Sequence, residues 1–419
     1  MLNRTIQPSL NAIDKIDFVA PEKHLLNADV NLYHMKSVPN ETARLDLYFD
    51  AGKCRGEKGI PSFVSGLLLS GTDAKSSTEI HDIINGLGGF YESGLSVENS
   101  VVSIYCLREN LEAIFTTLMD AIQNLSFNEQ EVAEFLADRK QQFSISKEKV
   151  SFLVQREFQK KLFASNKSYG SVTEMEDFDN VSIDDLKAFH KRHYLNGLSK
   201  VVIVGDIEQN LIEHISEKCT SMAIQSPVEY IDELKNESGE FIHEKDGAIQ
   251  TAIRVGRTLF NKKHADFLDF LILHTILGDY FGSRLMSNIR EDKGYTYGIG
   301  TALSELNETG HFLTATEVRK DVRDATLNEI QFEFNRLRTD LVPMDELELV
   351  KNYMLGQLLK SADGPYAMTD LFLSAELQGM GLEFYNDALK SIQEITPERI
   401  QALAVKYLQW EDMSVVAYG

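Results

Sequence analysis

The chain has 419 residues, with 64 acidic against 42 basic side chains, a formal net charge of −22, and ordinary hydrophobic (43%) and charged (25%) fractions. This describes a globular protein of two or more domains whose core needs no disulfide or metal staple. It excludes a nucleic-acid binder, which needs clustered Lys and Arg for phosphate contacts, while an acidic surface favours solubility and attracts basic peptides. The first residues, MLNRTIQPSLNAIDKIDF, show no signal-peptide core. The most apolar stretch, Phe267–Leu277, is broken by Asp269 and His274 and falls far short of the roughly 20 residues of a membrane span. Cys54, Cys106 and Cys219 are odd in number and widely separated, the usage of free thiols. A cytoplasmic protein is expected.

In chain order, Ala43–Phe49 reads as a strand. Gly59–Thr72 (GIPSFVSGLLLSGT) reads as a glycine-framed helix, Gly86–Gly89 as a helix-to-strand turn, and Ser93–Ser100 and Val101–Cys106 as strands. Asn128–Phe143 is a long helix with an acidic start. Ser182 caps a helix that runs into the β-branched strand Val201–Val204. Residues 221–247 are polar and acidic and read as an interdomain linker. The plan then repeats. Gln250–Arg257 and Gly310–Ala315 are strands, Met344–Leu359 is the long helix, and Thr396 caps a helix leading to Val415–Val416. The expected fold is α+β, with two homologous domains, residues 1–220 and 248–419, each a mainly antiparallel sheet packed with helices on one face.

Between the repeated strands of the second half lies GSRLMSNIREDKGYTYGIGTA (Gly282–Ala302). Arg290 and Tyr297 stand seven positions apart in it, astride Gly294. Arg290 is expected in the last turn of a helix starting near Ala265, with Gly294 ending that helix in the left-handed conformation and a strand at Tyr295–Thr301. A guanidinium and a phenol aimed into one cleft are strong donors toward a scissile carbonyl.

Taken together, the duplicated plan, the Gly59–Thr72 frame and the R-x6-Y spacing resemble the insulinase/pitrilysin-type metallopeptidases with the inverted zinc motif, the group that includes mitochondrial processing peptidase. The resemblance covers about Asp29 to Gly419 and is nearest to the short two-domain bacterial members. Catalytic members carry H-x-x-E-H within a frame like G-[apolar]-x-H-F-x-E-H-x-x-x-x-G-T. Here Gly59, Ile60, Phe63, Leu67, Gly71 and Thr72 keep the frame, while Ser62 and Gly66 stand at the histidine positions and Ser65 at the glutamate position. The third ligand expected from the resemblance is a glutamate on the long helix, and Arg139–Lys147 reads RKQQFSISK. The resemblance therefore implies no cofactor in this chain and zinc in a homologous partner subunit with an intact H-x-x-E-H. Arg290 and Tyr297 would reach into the partner's site and hold a peptide substrate in an enclosed chamber. Neither nucleic acid nor membrane is expected as a partner. A catalytically inert scaffold and a peptide-binding homodimer are the alternatives.

Other candidates are set aside on chemistry. His190 and His193 share a helix face but have no nearby glutamate or cysteine to complete a metal set. His81, His264 and His274 stand alone. GLGG lacks the Lys-Ser/Thr of a phosphate loop. Gly278–Gly282 (GDYFG) is read as a loop lining the cavity, the counterpart of a glycine-rich loop in the resembled family, and Ser361–Tyr366 as a surface turn.

Overall fold

The computed structural model describes Ile13 and residues 15–37, 41–224, 229 and 234–419. Strands β1 (Glu22–Leu25), β2 (Asn31–Met35) and β3 (Thr42–Phe49) come first, then helices α1 (Ile60–Leu67) and α2 (Ser77–Gly86) and the hairpin β4 (Phe90–Leu95) and β5 (Ser100–Leu107). Helices α3 (Leu111–Gln123), α4 (Glu129–Ser146), α5 (Val150–Leu162), α6 (Lys167–Gly170), α7 (Asp177–Asn180) and α8 (Ile183–His193) lead to β6 (Leu198–Val204) and α9 (Gln209–Thr220). The remainder holds β7 (Gly239–His243), β8 (Gln250–Leu259), α10 (Phe267–Gly278), a π-helical segment Met286–Asp292, and the hairpin β9 (Thr296–Glu305) and β10 (Gly310–Arg319). It continues with α11 (Arg323–Thr339), α12 (Met344–Ser361), α13 (Gly364–Glu376), α14 (Glu383–Glu394), α15 (Pro397–Tyr407) and β11 (Ser414–Tyr418). No helix among the described residues is long and apolar enough to cross a membrane.

The duplication shows in the strand order. One sheet runs β1-β2-β6-β3-β5-β4 and the other β7-β11-β8-β10-β9. With β1 removed the two orders superpose element for element. In each, one pairing is parallel (β2 with β6, β7 with β11) and the rest are antiparallel. The architecture is thus α+β with two mainly antiparallel sheets. Local chemistry sets the shared helices. Ser182 and Asp185 form a reciprocal capping box at the start of α8, and the Thr396 hydroxyl accepts from the Arg399 N–H at the start of α15. Asn128 caps α4 in the same way.

Several boundaries differ from expectation. β4 begins at Phe90, so Ser93 lies mid-strand and the hairpin turn falls at residues 96–99. The segment read as a linker contributes β7, because its C-terminal part alternates and pairs along β11. Residues 225–228 and 230–233 of that segment lie outside the described residues. The surface turn at Ser361–Tyr366 is shorter than read, since Pro365 takes a first-turn position of α13, where its missing N–H costs nothing.

Helices cover both faces of each sheet, not one, and each half lends a helix to the other. Along β3, Ala43, Leu45, Leu47 and Phe49 point into the first core, and along β8, Ile253 and Val255 point into the second. The opposite faces are closed by exchange. α5 spaces Val154, Phe158 and Leu162 four residues apart, and this stripe packs on Ala252 of β8 and Val416 of β11. In return, Met368, Phe372 and Leu373 of α13 pack on Tyr33, Met35, Val202 and Val204 of the first sheet. The Phe372 and Tyr33 rings meet edge to face at 4.9 Å. Polar ties reinforce the exchange. Arg44 on β3 bridges the fully buried Asp46 and Asp370 of α13, at 2.8 and 2.7 Å. Glu98, 4% exposed in the β4–β5 turn, accepts from the Asn307 backbone and side-chain N–H groups, both at 2.8 Å, in the equivalent β9–β10 turn.

His190 and His193 answer to the fold rather than to a metal. His190 Nε2 meets the Ile122 carbonyl at 2.8 Å, and His193 Nδ1–H donates to the Asp50 carbonyl at 2.6 Å. Burial, with Arg192 and Arg55 nearby, pushes the His193 imidazole down to about 4.

The packing generates two tests. Phe158→Ala removes a ring that is 1% exposed and should cost about 3–5 kcal/mol of stability. Although Phe158 precedes the second half by sequence, amide exchange should accelerate more in β8 and β11 than in β3 and β5. The second test concerns pH. A histidine held below its usual value of 6.5 contributes fully above that pH, and the contribution is lost as pH falls toward 4. His193→Gln abolishes this dependence. The stability gap between wild type and variant, measured by urea unfolding, should therefore shrink by about 2 kcal/mol from pH 7 to pH 5. A constant gap would refute the assignment.

Candidate functional site

The expected single helix from Ala265 to Arg290 is two pieces. α10 stops at Gly278, and after the turn at residues 279–283 the chain re-enters helix and becomes π-helical over Met286–Asp292. The wider helix holds one residue more per hydrogen-bonded turn, as the Lys293 N–H donation to the Asn288 carbonyl at 3.0 Å records. Gly294 then takes φ +64° and Tyr295 N–H donates back to the Ile289 carbonyl, so the helix ends where the sequence placed its stop. Arg290 sits within the π-helical segment, one third exposed. Its guanidinium lies over the Phe281 ring at 4.6 Å and 3.9 Å from Glu291 Oε1. The Gly278–Gly282 segment thus supplies Phe281, 65% exposed, as a platform for Arg290. A ring under a partly exposed guanidinium contributes about 0.5–1 kcal/mol.

Tyr297 lies on β9, the outer strand of its sheet, and is 96% exposed. The register explains its aim. Thr316 pairs with Ile299 and Val318 with Thr296, so β9 carries one residue more than β10 between these pairs. This bulge falls at Tyr297 and Gly298. It is held by threonine hydroxyls: Thr296 donates to the Glu317 carbonyl at 2.8 Å, and Thr316 to the Gly298 carbonyl at 2.9 Å. A bulge at a sheet edge re-aims a side chain, and here it turns the phenol into solvent. Each member of the pair therefore sits on a one-residue insertion into regular structure.

The zinc-frame positions lie on α1 in the first half. α1 follows β3 and packs on the edge strand β4, as α10 follows β8 and packs on the edge strand β9, so the π-helical segment holds the place of α2 in the order. Ser62, Ser65 and Gly66 line a cavity of about 730 Å³ between α1, β4, α4 and α5. Ser65 Oγ and Ser93 Oγ on β4 are hydrogen-bonded at 3.1 Å. A Cβ on Gly66 would stand 2.6 Å from the tip of the Phe135 ring of α4, so that ring must swing aside to admit a side chain there. Two hydroxyls and a hydrogen offer none of the imidazole or carboxylate donors that zinc takes at this motif, so these residues do not fit the metal. Among the described residues no group of three or more His, Cys, Asp or Glu gathers as a metal site would. Arg290 and Tyr297 are not part of this cavity's lining. The structure keeps the sequence-predicted pair and the zinc-frame positions apart.

Sequence reasoning missed Phe281, Phe135 and the threonines of the bulge. A phenylalanine in a short loop after an apolar helix was the available signal for Phe281. Phe135 and Arg139 stand four apart on a helix facing the frame, a spacing that puts them on one face. Of the remaining lone histidines, two are engaged locally and one is buried. His81 meets the Ser77 carbonyl and Tyr91 Oη, His264 stacks on Phe260, and His274 is buried in α10, where burial pushes it down to about 4.

Comparison with known proteins agrees with this geometry. Residues 33–173 match the model for insulinase (peptidase family M16), and residues 180–354 match that for the peptidase M16 inactive domain. Relatives include an uncharacterized zinc protease of Rickettsia bellii, 23% identical over 309 residues (72% of this chain, 74% of the relative), and the zinc protease PqqE of Helicobacter pylori, 22% identical over 370 residues (82% of each). The crystal structure of a peptidase M16 inactive domain from Pseudomonas fluorescens superposes with a TM-score of 0.85 at 21% identity, covering 96% of this chain and 98% of that one. A protease structure from Helicobacter pylori gives 0.83 at 17%, covering 95% and 100%. The chain belongs to the insulinase-type M16 peptidase family.

Proposed function

We propose that this chain is the non-catalytic, substrate-positioning subunit of a heterodimeric zinc metallopeptidase, and that a homologous partner with an intact H-x-x-E-H carries the metal. The observation that supports this most directly is the contrast between the two halves. The zinc-frame positions hold Ser62, Ser65 and Gly66, none of them a zinc ligand, and the tip of Phe135 lies against the Gly66 position. Arg290 and Tyr297 are outward-facing, away from this cavity, each set on a local irregularity of the kind that collects at functional sites. A pair that served this chain's own frame would converge on it.

In the complex the partner's zinc supplies the activated water and polarises the scissile carbonyl. The residues of this chain bind and orient. The Arg290 guanidinium, braced by Phe281, donates to a peptide carbonyl or to the oxyanion that develops from it, and the Tyr297 hydroxyl donates beside it. Fixed donors act on charge that grows during the reaction, so their loss should lower turnover more than substrate affinity. The zinc protease names of several relatives support a peptide as the substrate class.

The test uses the chain co-purified with its catalytic homologue. Arg290→Ala and Tyr297→Phe should each lower peptide turnover by about 10²-fold or more, with the heterodimer intact by light scattering. The chain purified alone should hold far less than one zinc per molecule by elemental analysis and cleave no peptide. Full turnover in both variants would end the substrate-holding assignment.

A further inference from the structure

The cavity at the zinc-frame positions has walls of one charge sign. In a chain where acids outnumber bases 64 to 42, this cavity is lined by Lys53, Arg139 and Arg156 and by no aspartate or glutamate. Arg156 is matched behind the wall by Glu174 at 2.7 Å. Arg139 has no such match. It lies over the Phe135 ring at 5.2 Å and donates to Gln142 Oε1 at 3.3 Å, and no carboxylate pairs with it among the described residues. Its Nη2 stands 3.7 Å from where a Cβ on Gly66 would be. A guanidinium without a carboxylate partner, on an exposed residue, therefore sits beside the point from which a ligand side chain would start.

From this arrangement we infer that the cavity binds an organic carboxylate carried on an aromatic or apolar body. The guanidinium presents a planar fork that matches a carboxylate with two parallel hydrogen bonds. The Ser62 and Ser65 hydroxyls are neutral polar groups within the same lining, and Phe135, Phe143 and Phe178 form apolar walls. About 730 Å³ is the size of a small-molecule site. One unmatched cation in the wall, with Lys53 exposed at its edge, suits a singly charged acid better than a phosphate dianion. A divalent cation finds no carboxylate there. The inference stands on the first half alone. It requires neither a partner subunit nor the roles assigned to Arg290 and Tyr297.

The test is calorimetric titration of the full-length chain with 3-phenylpropionate and with the tripeptide Ala-Ala-Phe, each against its neutral amide. The acids should bind at least about tenfold more tightly than their amides. Arg139→Gln, a change at an exposed position on α4, should bring the acids down to the level of the amides. Lys140→Gln, whose lysine is paired with Asp179 and lies outside the lining, should leave the preference in place. A tighter tripeptide acid identifies a peptide C-terminus as the source of the carboxylate, and a tighter phenylpropionate a free small acid. Equal affinity for acid and amide, no binding of either acid, or a preference that survives Arg139→Gln or vanishes in Lys140→Gln would overturn the inference.

Discussion

Neither sheet of this molecule can bury both its faces with the helices of its own half. β2, β6, β8 and β11 carry apolar side chains on both sides, and on each sheet one of those sides is covered by a helix from the other half. The exchange of α5 for α13 therefore does two jobs. It completes two cores by burial of apolar surface, the largest favourable term in folding, and it fixes the halves against each other. Glu98 and Asn307 add a polar constraint at equivalent hairpin tips. A carboxylate that is 4% exposed is costly to bury without donors, and it receives two from Asn307 and one from Tyr169 Oη at 2.9 Å. Its affinity for a proton is still raised by burial, so the hydrogen bonds offset the desolvation only in part.

With the halves held rigidly, equivalent elements carry different chemistry. α1 of the first half and α10 of the second occupy the same topological place, each after a central strand and against an edge strand, and the π-helical segment follows α10 as α2 follows α1. In the first half α1 borders a lined cavity, with Ser65 bonded across to Ser93 of β4. In the second the segment after α10 and the bulge of β9 carry a guanidinium and a phenol at the surface. Duplication supplied two similar frames, and different insertions set their uses. The π-helical turn and the β9 bulge each add a residue that rotates the chain beyond it, which changes where a side chain points without changing the fold around it.

The parts legible in the sequence were those written in local signals. Caps at Ser182 and Thr396, the acidic start of α4, the stop at Gly294 and the strands at Ala43–Phe49 and Gln250–Arg257 each rest on a few residues, and the structure places them as read. The parts that were not legible depend on distant partners. The stripe of α5 says that one face is buried but not against which sheet, because Val154, Phe158 and Leu162 would suit either. The strand at Gly239–His243 was hidden in a polar segment, because an outer strand needs few apolar residues. The π-helical segment breaks no propensity rule; its extra residue shows only in the hydrogen-bond register. For the site, the pair Arg290 and Tyr297 was visible as spacing, but Phe281 beneath the guanidinium was not, since its loop was read for its glycines.

The cavity around Ser62, Ser65 and Gly66 shows how packing can make the loss of a ligand set hard to reverse. Putting His, Glu and His back into α1 would still leave α4 without an acid between Arg139 and Lys147. A histidine at position 66 would drive its Cβ to 2.6 Å from the Phe135 ring, and its imidazole toward the Arg139 guanidinium, whose Nη2 lies 3.7 Å from that Cβ. A divalent metal placed beside that cation would meet repulsion between like charges. Phe135 would have to swing aside, the Arg139 guanidinium would oppose the metal's charge, and the Ser65–Ser93 hydrogen bond would have to break. Residues on α1 and α4 thus both disfavour the metal. The same guanidinium that opposes a metal attracts an anion, which ties the misfit for zinc and the fit for a carboxylate to one side chain.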